Sequence, residues 1–192
     1  MAIYRRELHQ VGYLKLAREA MDKEEFKTAL EYFDKTLASN VEYRASEEKF
    51  IYSGKAYCLG CLGNLTDALE NYDKVIAIDP QNTGWLQEKG NLLLENNRWE
   101  EALECFNAAL GMDPENSVSA WAAKAKAEKE LGQNTQARES FLRWLNFLSE
   151  QCPEIQLQLY ADGFELYGLV SEHDLAKLDR TVLERIRNNV QP

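Results

Sequence analysis

The sequence predicts an all-α protein made of successive helix-turn-helix pairs. An Ala-x-x-x-aromatic pattern recurs in register four times, and its alanines are Ala29, Ala68, Ala102 and Ala137. Around each alanine, apolar residues follow the i, i+4, i+7 spacing of one buried helix face. Polar turn signals separate the helices within the pairs, at Gly63-Asn64, Asn96-Asn97-Arg98 and Gly132-Gln133. Together these observations predict four helical pairs.

Residues 83–116 show the pattern most completely. The small residues Gly90 and Ala102 lie where the two helices of the pair can approach each other, and Phe106 fills the adjacent space. A bulky side chain at either small position would overpack the crossing, at a cost of about 1–3 kcal/mol. Asp113-Pro114 ends the pair, because proline cannot continue a helix and restricts the residue before it.

This unit resembles the tetratricopeptide repeat, a 34-residue helix-turn-helix motif with a small residue in each helix, Ala-x-x-x-Phe in the second helix and a closing proline. One departure is visible, because Trp85 lies five residues before Gly90 where the family usually has four. The pattern predicts a single domain with repeats at about 10–43, 49–82, 83–116 and 118–151. The resemblance implies a right-handed superhelical solenoid whose concave groove is lined by the first helix of each repeat.

The first repeat is the least regular. Residues 1–9 are expected to be a short lead-in, and Asn40-Val41 replaces the closing Asp-Pro. Five extra residues, Arg44–Glu48, are expected to extend the next helix by about a turn, with Ser46 as its N-cap. We expect any hinge or special feature of the array to lie at this insertion.

The C-terminal region is predicted to cap the last repeat. Pro153 ends the fourth pair, and residues 153–190 are expected to form capping helices. Within 172–190, an apolar stripe includes Leu178 and Ile186, and a terminal repeat needs such a cover for its apolar face. His173 is interpreted as a surface residue of the first turn of this helix.

The resemblance also predicts which side chains face the groove. The full lining set is Leu14, Arg18, Met21, Phe50, Ser53, Tyr57, Cys61, Gln87, Asn91, Leu94, Glu95, Ala122, Lys126, Lys129 and Glu130. From it we select as peptide-binding candidates Arg18, Phe50, Ser53, Tyr57, Gln87, Asn91, Lys126 and Lys129.

These candidates suggest a protein ligand. The aromatic rings offer flat apolar area, the amides can pair with an extended backbone, and the lysines can meet a carboxylate. The alternative interpretation is an ordinary solvated helix face. A family subgroup grips chaperone tails with a carboxylate clamp, but Leu14 and Arg18, with Gly84 and Glu88, stand at the corresponding places. Binding of Hsp70 or Hsp90 tails is therefore not predicted.

Charge and motif content narrow the remaining functions. The chain has 22 basic and 32 acidic residues, a net charge of −10, which disfavours nucleic-acid binding. Glu100, Glu101 and Glu104 are interpreted as a solubilising surface. No phosphate-binding loop, HExxH motif or nucleophile elbow occurs, so we expect neither catalysis nor a cofactor.

Cys58 and Cys61 form a Cys-x-x-Cys pair, which admits a metal or redox site. A second ligand pair for zinc is missing nearby, so we favour packing cysteines. The N-terminus lacks a signal-like apolar run, and no long apolar segment follows. The expectation is a cytoplasmic protein that does not associate with membranes.

Two functional hypotheses follow. The first is an adaptor that binds a peptide or helix of another protein in its groove. The second is a self-assembling subunit that associates through Leu142, Trp144 and Phe147, or through the C-terminal helices. The alternative for those three apolar residues is packing under the cap. A monomer or weak dimer is expected.

Overall fold

The structure, a computed structural model, describes residues 2–38, 43–115 and 117–151, and the predicted capping helices with His173 lie outside them. The described residues form eight α-helices and no strand. They are α1 (Ala2–Asp22), α2 (Phe26–Leu37), α3 (Ala45–Cys61), α4 (Leu65–Ile78), α5 (Thr83–Glu95), α6 (Trp99–Met112), α7 (Val118–Glu130) and α8 (Asn134–Gln151). The predicted all-α fold of successive helix pairs is confirmed.

The helices belong to two compact units, and the boundary falls within α5, after Leu92. In the first unit α2 packs against both α1 and α3, and α3 packs against α4. The centre of its core is a set of buried side chains on α1, α2 and α3. These are Ala17, Ala20, Ala29, Phe33, Ile51 and Cys58.

In the second unit α7 packs against both α6 and α8. Its buried residues are largely small or aromatic, and they include Ala102, Phe106, Ala109, Ala125, Ala137 and Phe141. All four aromatic residues of the repeated pattern are buried, since Phe33, Tyr72, Phe106 and Phe141 are at most 5% exposed. The periodic pattern therefore identified the inner face of each second helix.

Gly54 on α3 lies directly against the Phe33 ring of α2. A Cβ atom on this glycine would lie 2.4 Å from Cζ of Phe33, which is far inside van der Waals contact. Ala56, two residues later on the same helix, is also fully buried. The contact of Gly54 with Phe33 was not predicted, because the repeated pattern does not mark its position.

The four turns within the helix pairs share one backbone geometry. One residue in each has a positive φ, namely Glu24 (59°), Gly63 (78°), Asn97 (59°) and Gly132 (73°). The N–H group of the next residue donates to a carbonyl five residues earlier, with N···O distances of 2.8–2.9 Å. This hydrogen bond satisfies a carbonyl at the end of the preceding helix, as in a Schellman motif. The three turns predicted from sequence are confirmed.

The ends of several helices differ from expectation. α1 begins at Ala2, so residues 2–9 belong to the first helix and the predicted lead-in is wrong. α3 begins at Ala45, and the N–H of Arg44 donates to Oε2 of Glu47 at 3.0 Å. Because Glu47 satisfies the backbone at Arg44, the helix begins before Ser46, and the predicted N-cap role of Ser46 is wrong. The extra residues do extend α3, as predicted.

Candidate peptide-binding site

Two adjacent clefts in the first unit share Phe50 as a wall. The first cleft has a volume of about 300 Å³ and is lined by Leu14, Lys15, Arg18, Ser46, Glu47 and Phe50. The second has a volume of about 240 Å³ and is lined by Met21, Phe50, Ser53, Gly54, Tyr57, Tyr72, Trp85 and Glu88. Four of the predicted binding residues, Arg18, Phe50, Ser53 and Tyr57, line one or both of these clefts.

α3 supplies the aromatic part of both clefts. Phe50, Ser53 and Tyr57 follow the i, i+3, i+7 spacing of one helix face. The ring of Phe50 lies edge-on to Phe33, with centroids 5.7 Å apart, and the ring of Tyr57 lies edge-on to Phe26 at 5.8 Å. The core rings therefore support the cleft rings from one side. Tyr57 remains 49% exposed, which leaves its ring available to a ligand.

Arg18 on α1 lies over the shared wall. The centre of its guanidinium is 4.6 Å from the centroid of Phe50, within the range of a cation–π interaction. In the part of the chain that the structure describes, no carboxylate pairs with Arg18. By contrast, the nearby Lys15 pairs with Glu19, with Nζ and Oε1 3.6 Å apart.

The Tyr57 hydroxyl stays protonated at physiological pH. A side-chain hydrogen bond with Cys61 is the main cause that raises the pKa of the phenol above its ordinary value, and the nearby charge of Glu24 contributes. A neutral hydroxyl both donates and accepts hydrogen bonds. Tyr57 can therefore offer a ligand both an aromatic face and a polar tip.

The two cysteines of the Cys-x-x-Cys pair have different environments. Cys58 is fully buried in the core, and burial raises the pKa of its thiol to about 11. Its predicted packing role is confirmed. Cys61 is exposed at the end of α3, so a packing role for it is wrong. Among the described residues, no cluster of three or more metal-ligating side chains is present.

The candidates on α5 have unequal exposure. Asn91 is exposed and Gln87 is half-buried. Leu94 is only 7% exposed, so its predicted place in the groove lining is wrong. It lies next to the turn that ends α5, where the N–H of Asn97 donates to the Leu94 carbonyl at 3.2 Å, and its apolar side chain is buried there.

The two predicted lysines lie on α7 in the second unit. Lys126 is exposed and Lys129 is half-buried. Six of the eight candidates therefore lie in the first unit and two in the second. Of the six, Gln87 and Asn91 line neither cleft.

Sequence reasoning missed four lining residues that affect the chemistry of the clefts. Lys15 and Glu47 line the first cleft, and Trp85 and Glu88 line the second. The unusual spacing of Trp85 from Gly90 was the one available signal. Glu88 was examined only as a possible clamp position, and its negative charge was not connected with a binding surface.

Two models of the tetratricopeptide repeat match residues 14–83 and 62–127, and these ranges overlap. The chain belongs to the tetratricopeptide repeat family. The Hsp70-Hsp90 organizing protein of Triticum aestivum is 26% identical over 121 residues. That match covers 58% of this chain but 20% of the wheat protein, so the chain spans about a fifth of that relative's length.

Solved structures show the same fold. MamA 41-end from Desulfovibrio magneticus RS-1 has a TM-score of 0.66 and 16% identity, covering 95% of this chain and 97% of its own. YrrB, described as a TPR protein with an unusual peptide-binding site, has a TM-score of 0.64 and 20% identity over 80% of this chain and 74% of its own. These similarities establish the fold, an all-α helical-repeat solenoid. None of its described helices is long and apolar enough to cross a bilayer.

Proposed function

We propose that this protein is an interaction scaffold that binds a peptide or helical segment of another protein. The binding site is the groove that α1, α3 and α5 line in the first unit. The observation that carries this proposal is the aromatic surface of the second cleft, where half-exposed Tyr57 lies near Phe50 and Trp85. Aromatic side chains give large contact area while losing few rotatable bonds, so they act as anchors in protein interfaces.

Polar groups on the same helices suit a polypeptide ligand. Ser53 lines the second cleft, and Gln87 and Asn91 follow on α5. Hydroxyl and amide groups can pair with the donors and acceptors of an extended backbone. In the second unit, Lys126 and Lys129 on α7 are proposed separately as contacts for a ligand carboxylate. YrrB, with its peptide-binding site, is a precedent for such a ligand on this fold.

The proposed ligand is not a chaperone tail. The wheat relative is named for Hsp70 and Hsp90, but this chain lacks the lysine–asparagine pair that the clamp subgroup uses in its first repeat. Leu14 and Arg18 stand there, and Gly84 and Glu88 occupy the places of the basic residues in the third repeat. Glu88 would repel a terminal carboxylate.

The test is selection of binding peptides from a display library of random short sequences, followed by calorimetric titration of the selected peptides. Tyr57→Ala should weaken binding at least about tenfold, because it removes an aromatic anchor. Tyr52→Ala is the matched control, since Tyr52 is on the same helix but lines neither cleft. Tail peptides of Hsp70 and Hsp90 should not bind. Equal affinities of the wild type and Tyr57→Ala would reject the proposed groove.

A further inference from the structure

The two clefts that share Phe50 carry charges of opposite sign. Lys15, Arg18 and Glu47 line the first cleft, which makes its lining net positive. Glu88 is the charged residue of the second cleft. The electrostatic effect of Glu24 on Tyr57 adds negative potential near that cleft. A ligand that lies along both clefts therefore passes from a positive region to a negative region.

Arg18 in the first cleft and Glu88 in the second are the charges that a ligand can pair with. Lys15 is already paired with Glu19, and Oε2 of Glu47 accepts the N–H of Arg44 at 3.0 Å. Within the described ranges, neither Arg18 nor Glu88 has an ion-pair partner.

Neighbouring charges on the same helices are neutralised by ion pairs. On α3, Lys49 and Lys55 pair with Asp79 and Asp34 at 2.8 and 2.5 Å. On α5, Lys89 pairs with Asp73 at 2.5 Å. Each of these three ion pairs joins a lysine on α3 or α5 to an aspartate on or next to α2 or α4. Among the described residues, Arg18 and Glu88 have no such partner.

We infer that the groove selects a segment in which an apolar anchor residue has an acidic residue on one side and a basic residue on the other. This inference rests on the proposed function. The anchor would pack on Phe50 and Tyr57 in the second cleft. The acidic residue would meet the guanidinium of Arg18, whose planar fork suits a carboxylate. The basic residue would meet Glu88.

The dimensions of α3 limit the spacing of such a segment. Phe50 and Tyr57 are seven residues apart, which corresponds to about 10 Å along a helix axis. An extended chain covers that length in about three residues. The acidic residue, which would meet Arg18 over Phe50, should therefore lie within about three positions of an anchor that packs beside Tyr57. Charges at the rim of an interface mainly affect specificity and association rate, so the charge pattern should select among ligands that all possess the anchor.

The test compares peptides selected from one random display library by the wild type, Arg18→Glu and Glu88→Lys. Wild-type selections should show acidic residues on one side of an apolar anchor and basic residues on the other. Arg18→Glu should replace the acidic preference by a basic one, and Glu88→Lys should do the reverse on the other side. The controls are Lys27→Glu and Glu70→Lys, exposed charge reversals on α2 and α4 that line neither cleft.

A titration with altered peptides separates recognition from folding. Replacing the acidic residue of a selected peptide by lysine should weaken binding to the wild type about three- to tenfold. The same peptide should recover that loss with Arg18→Glu. Selected peptides without a charge preference, or with one that the variants leave unchanged, would overturn this inference while the anchor proposal stands. Failure to select any peptide, or equal binding by Tyr57→Ala, would overturn both.

Discussion

Glu24 has a backbone conformation that suits glycine better than glutamate. Its φ is 59°, and the equivalent turns place Gly63, Asn97 and Gly132 in the same conformation. Residues with a Cβ atom have a steric cost in this region, while glycine has almost none and asparagine is tolerated. The Glu24 side chain is exposed, so its removal should not create a cavity.

Replacing Glu24 by glycine should therefore stabilise the protein by up to about 1 kcal/mol. The relief of the steric cost in the folded state should exceed the entropic cost of a more flexible unfolded chain. Urea denaturation followed by circular dichroism measures this change. Gly63→Ala, which has open space around it but a φ of 78°, is the opposite control and should destabilise by a similar amount. A loss of stability in Glu24→Gly would show that its side chain stabilises the turn.

At the scale of elements, the packing of α3 against α2 leaves no room for a side chain at Gly54. Gly54 lies against the ring of Phe33, and Phe33 is fully buried. The same ring packs edge-on against Phe50. The crossing therefore connects the core of the first unit with the shared wall of the two clefts.

The change Gly54→Ala should cost about 1–3 kcal/mol, because its Cβ would lie 2.4 Å from Cζ of a ring that has little room to move. The free energy of unfolding from urea titration measures it. Gly111→Ala is the matched control, since it lies in α6 with no atom within 4 Å of its added Cβ. That change should be stabilising by up to about 1 kcal/mol. Equal effects of the two changes would mean that α2 and α3 can separate without cost.

At the scale of the whole molecule, the sequence predicts that the last repeat needs a cover. Leu142, Trp144 and Phe147 on α8 are each half-buried, and Trp144 packs on Phe141 with ring centroids 5.5 Å apart. The predicted cover, the helix at 172–190, lies outside the described residues. The competing hypothesis is that these apolar residues join two copies of the chain.

Changing both Leu178 and Ile186 to alanine tests the cover. Each change should cost about 2–5 kcal/mol if the stripe is buried. Repeats interact mainly with their neighbours, so hydrogen exchange should lose protection first in 118–170 and later in 49–116. A truncation after Val170 should bind hydrophobic dyes or aggregate. If the truncated chain keeps its melting temperature, the helix is not a cap.

Light scattering of the full chain at several dilutions tests the competing hypothesis of self-assembly. An assembling chain should show a mass that falls on dilution, whereas a monomer should keep a constant mass.

Local pattern was sufficient for the helices and for their inner faces. Ala29 and Phe33, like their equivalents in the other pairs, are buried where the spacing predicted. α4 and α6 end at Ile78 and Met112, immediately before Asp-Pro. These features depend on residues within a few turns of each other, because periodicity selects the buried face and proline prevents further helix.

Tertiary structure decided which parts of the remaining helix faces are exposed. Leu94 is buried although its spacing matched the groove, and Gly54 is the close contact although the repeated pattern did not mark it. The same holds for the clefts, where Arg18 and Phe50 come together from different helices and Glu88 lines the neighbouring space. Spacing along one helix specifies a face, but the surroundings of that face depend on how the other helices pack against it.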